Sequence, residues 1–240
     1  MKFILLTFLA FATTTVFSWN NLKITKNKLI KSVATGLVGF NLISPLNIPQ
    51  VNAIPSLEQV QISNYIKEDK NNIYFYGPIN YETTRKIEEL ILDQDLAARI
   101  FKEKFGTEPP PINLHIQSEG GSFLHSLYLI DVIQKIETPV NTYVDGFAAS
   151  AATLISVAGD KRYMTKNSLM LIHQLYSQNE GKYNQLDDGI HNIETFMNLI
   201  RDLYLSKTKF EINNLNELLS HDLWLTSDKC LQYGLVDEII

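Results

Sequence analysis

The chain has 240 residues, 45% of them hydrophobic, so it can bury the core of one large domain or two small ones. Its single cysteine, Cys230, excludes an intrachain disulfide framework and a cysteine-rich metal site, and we expect this thiol to be buried on a helix face. No acid precedes Glu58, and removing the five lysines before it leaves 16 basic against 26 acidic residues, a net charge of −10 for residues 58–240. A body this acidic argues against nucleic acid as the main partner.

Residues 1–57 are interpreted as a targeting presequence. The first 20 combine a lysine, an apolar run too short to span a bilayer and a small-residue exit before Trp19, which is typical of a secretory signal; an anchor or an ordinary buried helix is the alternative. The next stretch is basic, hydroxylated and acid-free like a transit peptide, and a second apolar run ends at residues 51–53 with a small-x-small pattern. This order resembles the bipartite presequences of algae with secondary plastids. It implies a plastid protein of the stroma, or of the thylakoid lumen, with no stable membrane span in the mature form.

Beyond the presequence, strand-like and helix-like segments alternate. Period-2 patterns predict strands and 3.6-residue periodicity predicts helices. The predicted elements are a strand at 71–79, a helix at 83–106, a strand at 112–117, a helix at 122–136, a strand at 138–147, a short helix at 150–158, strands at 161–165 and 168–174, a long helix at about 185–209, shorter helices, and a last strand at 235–240. This alternation predicts an α/β domain with much parallel pairing. The sequence has no G-x-x-x-x-G-K-[ST] phosphate loop, so it does not hydrolyse ATP by that route.

Two polar residues in this body have more than one interpretation. Ser150 begins the short Ala-rich helix, where its hydroxyl could cap the helix, or could be a nucleophile beside free N–H groups that stabilise an oxyanion. His173 closes an apolar strand and could be a core histidine or a general base. Three other histidines are assigned no function: His115, His125 and His191.

An acidic residue of suitable type follows in the C-terminal part of the chain. Asp222 directly precedes a strand-like Leu-Trp-Leu run. Asp228 and Asp237 lie on a predicted helix and a predicted strand, where a solvated face is the simpler interpretation. A serine, a histidine and an aspartate are the residue types of an acyl-transfer triad, so Asp222 favours the catalytic interpretation of the other two.

Four motifs in order resemble the proteolytic subunit of the Clp protease over roughly residues 72–240. They are IQSEGG at 116–121, GFAAS at 146–150, LMLIHQ at 169–174 and HDLWLTSDKCLQYGLVD at 221–237. The resemblance implies a ClpP/crotonase-type α/β superhelix of strands and helices, with a protruding handle formed by the long helix. It also implies a serine endopeptidase that hydrolyses peptide bonds.

The resemblance assigns a role to each motif residue. It implies Ser150 as nucleophile, His173 as general base and Asp222 as the group that orients the imidazole. The backbone N–H groups of Gly121 and Ala151 lie where the family forms its oxyanion hole. Glycine at position 121 is expected because close backbone approach to a substrate carbonyl leaves no room for a Cβ.

The resemblance also implies partners. The family binds unfolded chains as an added strand, which here implicates Ser122, Phe123 and Leu124 on one side and Leu175, Tyr176 and Ser177 on the other. It implies a ring-forming homo- or hetero-oligomer that degrades proteins in an ATP-dependent manner with a separate AAA+ ATPase chaperone. No metal or organic cofactor is implied.

Several positions depart from the family pattern. Family prolines are replaced by Glu119 and Leu175, the ring-joining arginine is His221, and the start of the handle and the connection before residue 112 are altered. Two alternatives therefore stay open: a catalytically silent structural ring subunit, and a crotonase-type acyl-CoA enzyme. The second ranks low because such enzymes do not need serine, histidine and aspartate at these spacings.

Overall fold

The computed structural model describes residues 64–240, so the predicted presequence and its boundary with the body lie outside the described residues. The strands are β1 (Tyr65–Asp69), β2 (Asn72–Tyr76), β3 (Ile112–Ser118), β4 (Val140–Ala149), β5 (Lys161–Met164), β6 (Leu169–Leu171), β7 (Trp224–Thr226) and β8 (Glu238–Ile239). The helices are α1 (Tyr81–Phe105), α2 (Phe123–Lys135), α3 (Ala151–Val157), α4 (Tyr183–Lys207), α5 (Ile212–Leu219) and α6 (Ser227–Tyr233). Within this part of the chain, no helix is long and apolar enough to cross a membrane.

The strands form one sheet in the order β1-β2-β3-β4-β5-β8, and β6 pairs with the far end of β4 and with β7. Pairing is parallel from β2 to β8 and between β4 and β6, whereas β1–β2 and β6–β7 are antiparallel. The predicted α/β class with parallel pairing is therefore confirmed. The hairpin strand β1 was not predicted, because its side chains are mostly exposed and give no apolar alternation.

The core is formed by buried apolar residues from the sheet and from all six helices. Apolar side chains alternate into it from β2 and β3, among them Ile73, Phe75 and Leu114, which are fully buried. Helix α1 ends where the sequence predicts, because Gly106 adopts the left-handed conformation that C-caps favour. Helix and strand therefore share one continuous hydrophobic core.

Helix α4 buries side chains only in its second half. Its buried residues are Met197, Ile200 and Tyr204, whereas Tyr183 and Ile190 near its start are exposed. A helix that packs at only one end projects from the body at the other. This is the protruding handle expected from the sequence.

Candidate active site

Ser150 lies at the junction of β4 and α3 in an unusual backbone conformation. Its φ of 55° and ψ of −126° are strained for a residue with a side chain. Its side chain makes no capping hydrogen bond to α3, so the capping interpretation of this serine is wrong. The hydroxyl group is therefore available for another role.

The pairing of β4 with β6 brings His173 to Ser150. Ala149 pairs with Leu171, and the N–H of Ser150 donates to the carbonyl of Leu171 at 2.8 Å. Strand β6 ends at Leu171, so His173 lies two residues beyond the strand that it was expected to close. Ser150 and His173 both line a small cleft with a cavity volume of about 30 Å³. Among the described residues no hydrogen bond joins the two side chains, which is common for catalytic groups without substrate.

The end of α5 places Asp222 beside His173. The N–H of Gln174 donates to the carbonyl of Leu219 at 2.8 Å, which fixes the chain after His173 to the last residue of α5. Asp222 follows three residues later, and its Oδ1 lies 3.4 Å from Nδ1 of His173. This separation is longer than an ordinary hydrogen bond. The Asp222 side chain is 81% exposed, so water weakens its attraction to a charged imidazole.

The two predicted oxyanion donors are both available. Ala151 is the first residue of α3, so its N–H is one of the groups that lack a partner within the helix. Ile79 bonds to Gly120 and Ser122 on either side of Gly121, which directs the N–H of Gly121 away from Ile79. Within residues 64–240, neither N–H donates to a protein acceptor.

Glycine is required at 120 and 121 by close backbone packing. A Cβ at Gly121, whose φ is +142°, would lie 2.3 Å from the carbonyl oxygen of Ile79. A Cβ at Gly120 would lie 2.6 Å from the carbonyl oxygen of Ala149 and 2.9 Å from Cβ of Ser150. The restriction at 121 thus comes from the bridge to Ile79, whereas the sequence suggested the approach of a substrate.

The six predicted substrate-binding residues divide into two groups. Phe123 and Leu175 line the cleft, and the N–H of Leu175 is directed at Sδ of Met197. The other four lie outside the cleft lining: Ser122 contacts His125 through its hydroxyl at the start of α2, Leu124 is exposed on the first turn of α2, and Tyr176 and Ser177 are exposed.

Four cleft residues were not predicted from the sequence. The lining, most of which is apolar, is completed by Leu154 of α3, by Gln174 after strand β6, and by Ile200 and Tyr204 of α4. Ile200 and Tyr204 are four positions apart and share one face of the long helix, which is the pattern that could have indicated them. Their position opposite Ser150 depends on tertiary packing.

The acids and histidines that were not assigned to the triad lie in other environments, away from Ser150. Asp237 was expected on a solvated face, but Arg162 binds it through Nε and Nη2 and holds its pKa below the usual range. Asp228 lies in the first turn of α6. His115 stacks between two tyrosines and its Nδ1 lies 2.8 Å from Oδ2 of Asp145, away from the cleft.

Within the described chain, no group of three or more His, Cys, Asp or Glu side chains is arranged to hold a metal ion.

Comparison with known proteins identifies relatives of this chain. The family model described as Clp protease matches residues 62–240. The ATP-dependent Clp protease proteolytic subunit of Cyanophora paradoxa is 34% identical over 130 residues, which are 53% of this chain and 67% of the relative. Proteolytic subunit 2 of Frankia casuarinae is 27% identical over 80% of this chain and 86% of its own length.

A solved structure shows the same fold. The chain of a ClpP1 mutant from Listeria monocytogenes superimposes with a TM-score of 0.62 at 24% sequence identity, over 72% of this chain and 92% of the other. The expected ClpP-type architecture is therefore confirmed. Because the family model spans every element that forms the cleft, this chain belongs to the Clp protease family, a family of peptidases.

Proposed function

We propose that this chain is a serine endopeptidase in which Ser150, His173 and Asp222 act as the catalytic triad. The observation that supports the proposal most strongly is the common cleft of an uncapped serine on strained backbone and a histidine with an aspartate 3.4 Å behind it. Nδ1 of His173 faces Asp222, which leaves Nε2 for the serine. This division of the two ring nitrogens is the one that a triad needs.

The reaction proceeds by acyl transfer. Nε2 of His173 takes the hydroxyl proton while Oγ of Ser150 bonds to the scissile carbonyl carbon, and the oxyanion accepts from the N–H groups of Gly121 and Ala151. The proton then passes from Nε2 to the leaving amine as the C–N bond breaks. Water releases the acyl group by the same steps in reverse order, and Asp222 stabilises the imidazolium each time.

The proposed substrate is an unfolded polypeptide with an apolar side chain beside the scissile bond. The cleft next to Ser150 is lined by Phe123, Leu154 and Ile200, which favour an apolar group. Residues 175–177 have no helix or strand partner, and the N–H of Leu175 bonds only to a thioether, which is a weak acceptor. A substrate carbonyl can replace that sulfur, so an added strand along this segment is favourable.

We propose that the subunit acts in a ring. Leu92, Leu96 and Ile100 recur every four residues on α1 and are 45%, 51% and 55% exposed, forming an apolar stripe beside the groove between α1 and α2. Such a stripe is typical of a surface that another subunit covers. Identical and related subunits are both possible occupants, and the mass of the assembled particle under native conditions distinguishes a homo-oligomer from a hetero-oligomer.

The energy source lies in a separate protein. The relatives are named as ATP-dependent proteolytic subunits, whereas this chain has no P-loop motif. We therefore propose a separate AAA+ ATPase chaperone as the partner that unfolds substrates. Co-purification with an ATPase that stimulates degradation of a folded substrate is the test.

The proposed location is the plastid stroma. It rests on the signal-like and transit-like patterns of residues 1–57 and on the need of the proposed partner for ATP. N-terminal sequencing of protein from fractionated cells tests it. A mature chain from the thylakoid lumen would correct the compartment, and a chain from the cytosol that starts at Met1 would refute the targeting proposal.

A catalytically silent ring subunit is the second candidate. The exposure of Asp222, whose side chain is 81% accessible to solvent, favours it. The match to the Clp protease family does not favour an acyl-CoA enzyme.

Cleavage of a fluorogenic peptide separates the two candidates. Ser150→Ala should lower the rate by a factor on the order of 10⁶, because the triad acts as a unit. Ser220→Ala is the matched control, since this exposed hydroxyl only bonds to the carbonyl of Glu217. A parent ring that cleaves no peptide, or a Ser150→Ala variant as active as the parent, contradicts the peptidase proposal.

A further inference from the structure

A buried pair of hydroxyl groups lies directly behind the nucleophile. The Oγ1 of Thr153 donates to the carbonyl of Ser150 at 2.6 Å, and the N–H of Thr153 bonds to the same carbonyl at 3.0 Å. The hydroxyl of Tyr204 lies 2.6 Å from the same Oγ1. Thr153 is fully buried and Tyr204 is 2% exposed, so the pair is isolated from bulk water.

The direction of these hydrogen bonds follows from their chemistry. A carbonyl oxygen only accepts, so the single proton of the Thr153 hydroxyl is directed at Ser150. Tyr204 must then donate its proton to Thr153. Burial raises the pKa of Tyr204, which keeps its hydroxyl protonated and able to donate.

The Ser150 carbonyl and the Ala151 N–H belong to one peptide group. Hydrogen bonds accepted by the carbonyl polarise this group and strengthen the N–H as a donor. They also hold its plane in place next to a residue whose φ is 55°. We propose that Thr153 and Tyr204 are positioning residues of the oxyanion hole, which orient and polarise the Ser150–Ala151 peptide. This proposal rests on the peptidase function proposed above.

The chain of hydrogen bonds from Tyr204 through Thr153 to the Ser150 carbonyl, here called the relay, also connects the handle helix α4 to the site. Tyr204 lies in the buried half of α4 and Thr153 in α3, so a shift of α4 changes the bond to Thr153 before it reaches Ser150. Hydroxyl groups that only satisfied each other in the core would influence stability and leave transition-state binding unchanged. The two roles therefore differ in a measurable way.

The test combines kinetics of the purified protein on a fluorogenic peptide with binding of a peptide boronic acid, whose tetrahedral adduct occupies the oxyanion hole. Thr153→Val keeps the shape and removes the hydroxyl, Thr153→Ser keeps the hydroxyl, and Tyr204→Phe removes one oxygen atom. For Thr153→Val we expect kcat to fall on the order of 10-fold with KM little changed, less than the roughly 100-fold or greater loss when an oxyanion donor itself is removed.

The other variants define the relay. Boronate affinity should fall in parallel with kcat, Thr153→Ser should restore both, and Tyr204→Phe should lower both by roughly threefold, as expected for the loss of a cooperative bond. In the double variant, Tyr204→Phe should not lower kcat or boronate affinity below the values of Thr153→Val alone, because Tyr204 acts through the Thr153 hydroxyl.

Three outcomes overturn the proposal in an active parent. They are unchanged kcat and boronate affinity in Thr153→Val, equal losses in Thr153→Ser and Thr153→Val, and a full Tyr204→Phe effect in the Thr153→Val background. If Thr153→Val does not fold, unchanged boronate affinity in Tyr204→Phe overturns it. A parent that cleaves no peptide refutes the peptidase function instead, which separates the two failures.

Discussion

Nδ1 of His173 lies 3.4 Å from Oδ1 of Asp222, and the aspartate side of this contact is open to solvent. The histidine side is more enclosed, because its side chain is only 23% exposed. An aspartate in this setting still selects the ring tautomer, but it stabilises an imidazolium less than a buried aspartate does. Covering Asp222 in an assembly or with substrate strengthens the pair.

Replacing Asp222 tests its role. Asp222→Asn should lower kcat/KM by about 10²- to 10⁴-fold, less than loss of the nucleophile, because the amide presents the wrong partner to the imidazole. Asp228→Asn is the matched control, since Asp228 is an exposed acid of the neighbouring helix. Peptide hydrolysis under identical conditions measures both, and equal activity of Asp222→Asn and the control would contradict the assignment.

The glycine pair offers a test of packing at the site. Gly121→Ala should abolish peptide hydrolysis and destabilise the protein by about 2–4 kcal/mol, because the new Cβ would collide with the carbonyl of Ile79. Gly106→Ala should cost only about 1 kcal/mol, since its positive φ is strained but no atom lies within 4 Å of the added Cβ. Urea unfolding and peptide hydrolysis provide the comparison. Equal stability losses would show that the bridge between Ile79 and Gly121 is not tight.

The thiol of Cys230 should be unreactive in the native protein. Burial raises its pKa to about 12, so very little thiolate forms at neutral pH. Treatment with a maleimide should label the thiol only after unfolding, as followed by mass spectrometry. Rapid labelling of the native protein would show that α6 opens or that the residue is accessible.

Arg162 joins three parts of the chain. Its Nη1 donates to the carbonyls of Lys207 and Gly234, and its other nitrogens bind Asp237. Arg162→Met should reduce the free energy of unfolding by about 2–4 kcal/mol, because two carbonyls lose their donor. Lys86→Met, which breaks an exposed pair with Glu89, should change it by less than about 0.5 kcal/mol. Similar losses in the two variants would contradict this role of Arg162.

The lowered pKa of Asp237 leads to a prediction of how stability varies with pH. The bonds from Arg162 lower its folded-state pKa, so its contribution is present above the unfolded pKa and is lost as the pH falls through the folded pKa. Thermal unfolding from about pH 6 to about pH 2 should show a shallower decline in Asp237→Asn than in the parent. Identical slopes in the two proteins would remove Asp237 as a source of the acid sensitivity.

The periodic elements could be predicted from sequence, and the contacts that depend on tertiary structure could not. Helix α1 and strand β3 were predicted to within a few residues, because their apolar periods are regular and Gly106 marks a helix end. Strand β1 is exposed and has no such period. The partner of Asp237 was also missed, since Arg162 lies 75 positions away and local sequence contains no trace of the pair.

The residues of the candidate site show the same difference between sequence motifs and tertiary contacts. Ser150, His173 and Asp222 were found through motifs; the structure places Ser150 and His173 at one cleft, and Asp222 lies 3.4 Å from the imidazole. Tyr204 and Thr153 were not found, because a tyrosine on an apolar helix face and a threonine in a short helix are ordinary core residues by pattern alone. Only the packing of α4 on α3 brings their hydroxyl groups together.

Labelling by a fluorophosphonate, with the modified residue located by peptide mass spectrometry, tests directly whether Ser150 is the nucleophile. We expect one adduct on Ser150, formed by the native assembled protein, strongly reduced in His173→Ala and unchanged in the control Ser220→Ala. An assembled protein that hydrolyses peptides but has its adduct on another serine, or has none, would contradict the assignment of Ser150 as the nucleophile.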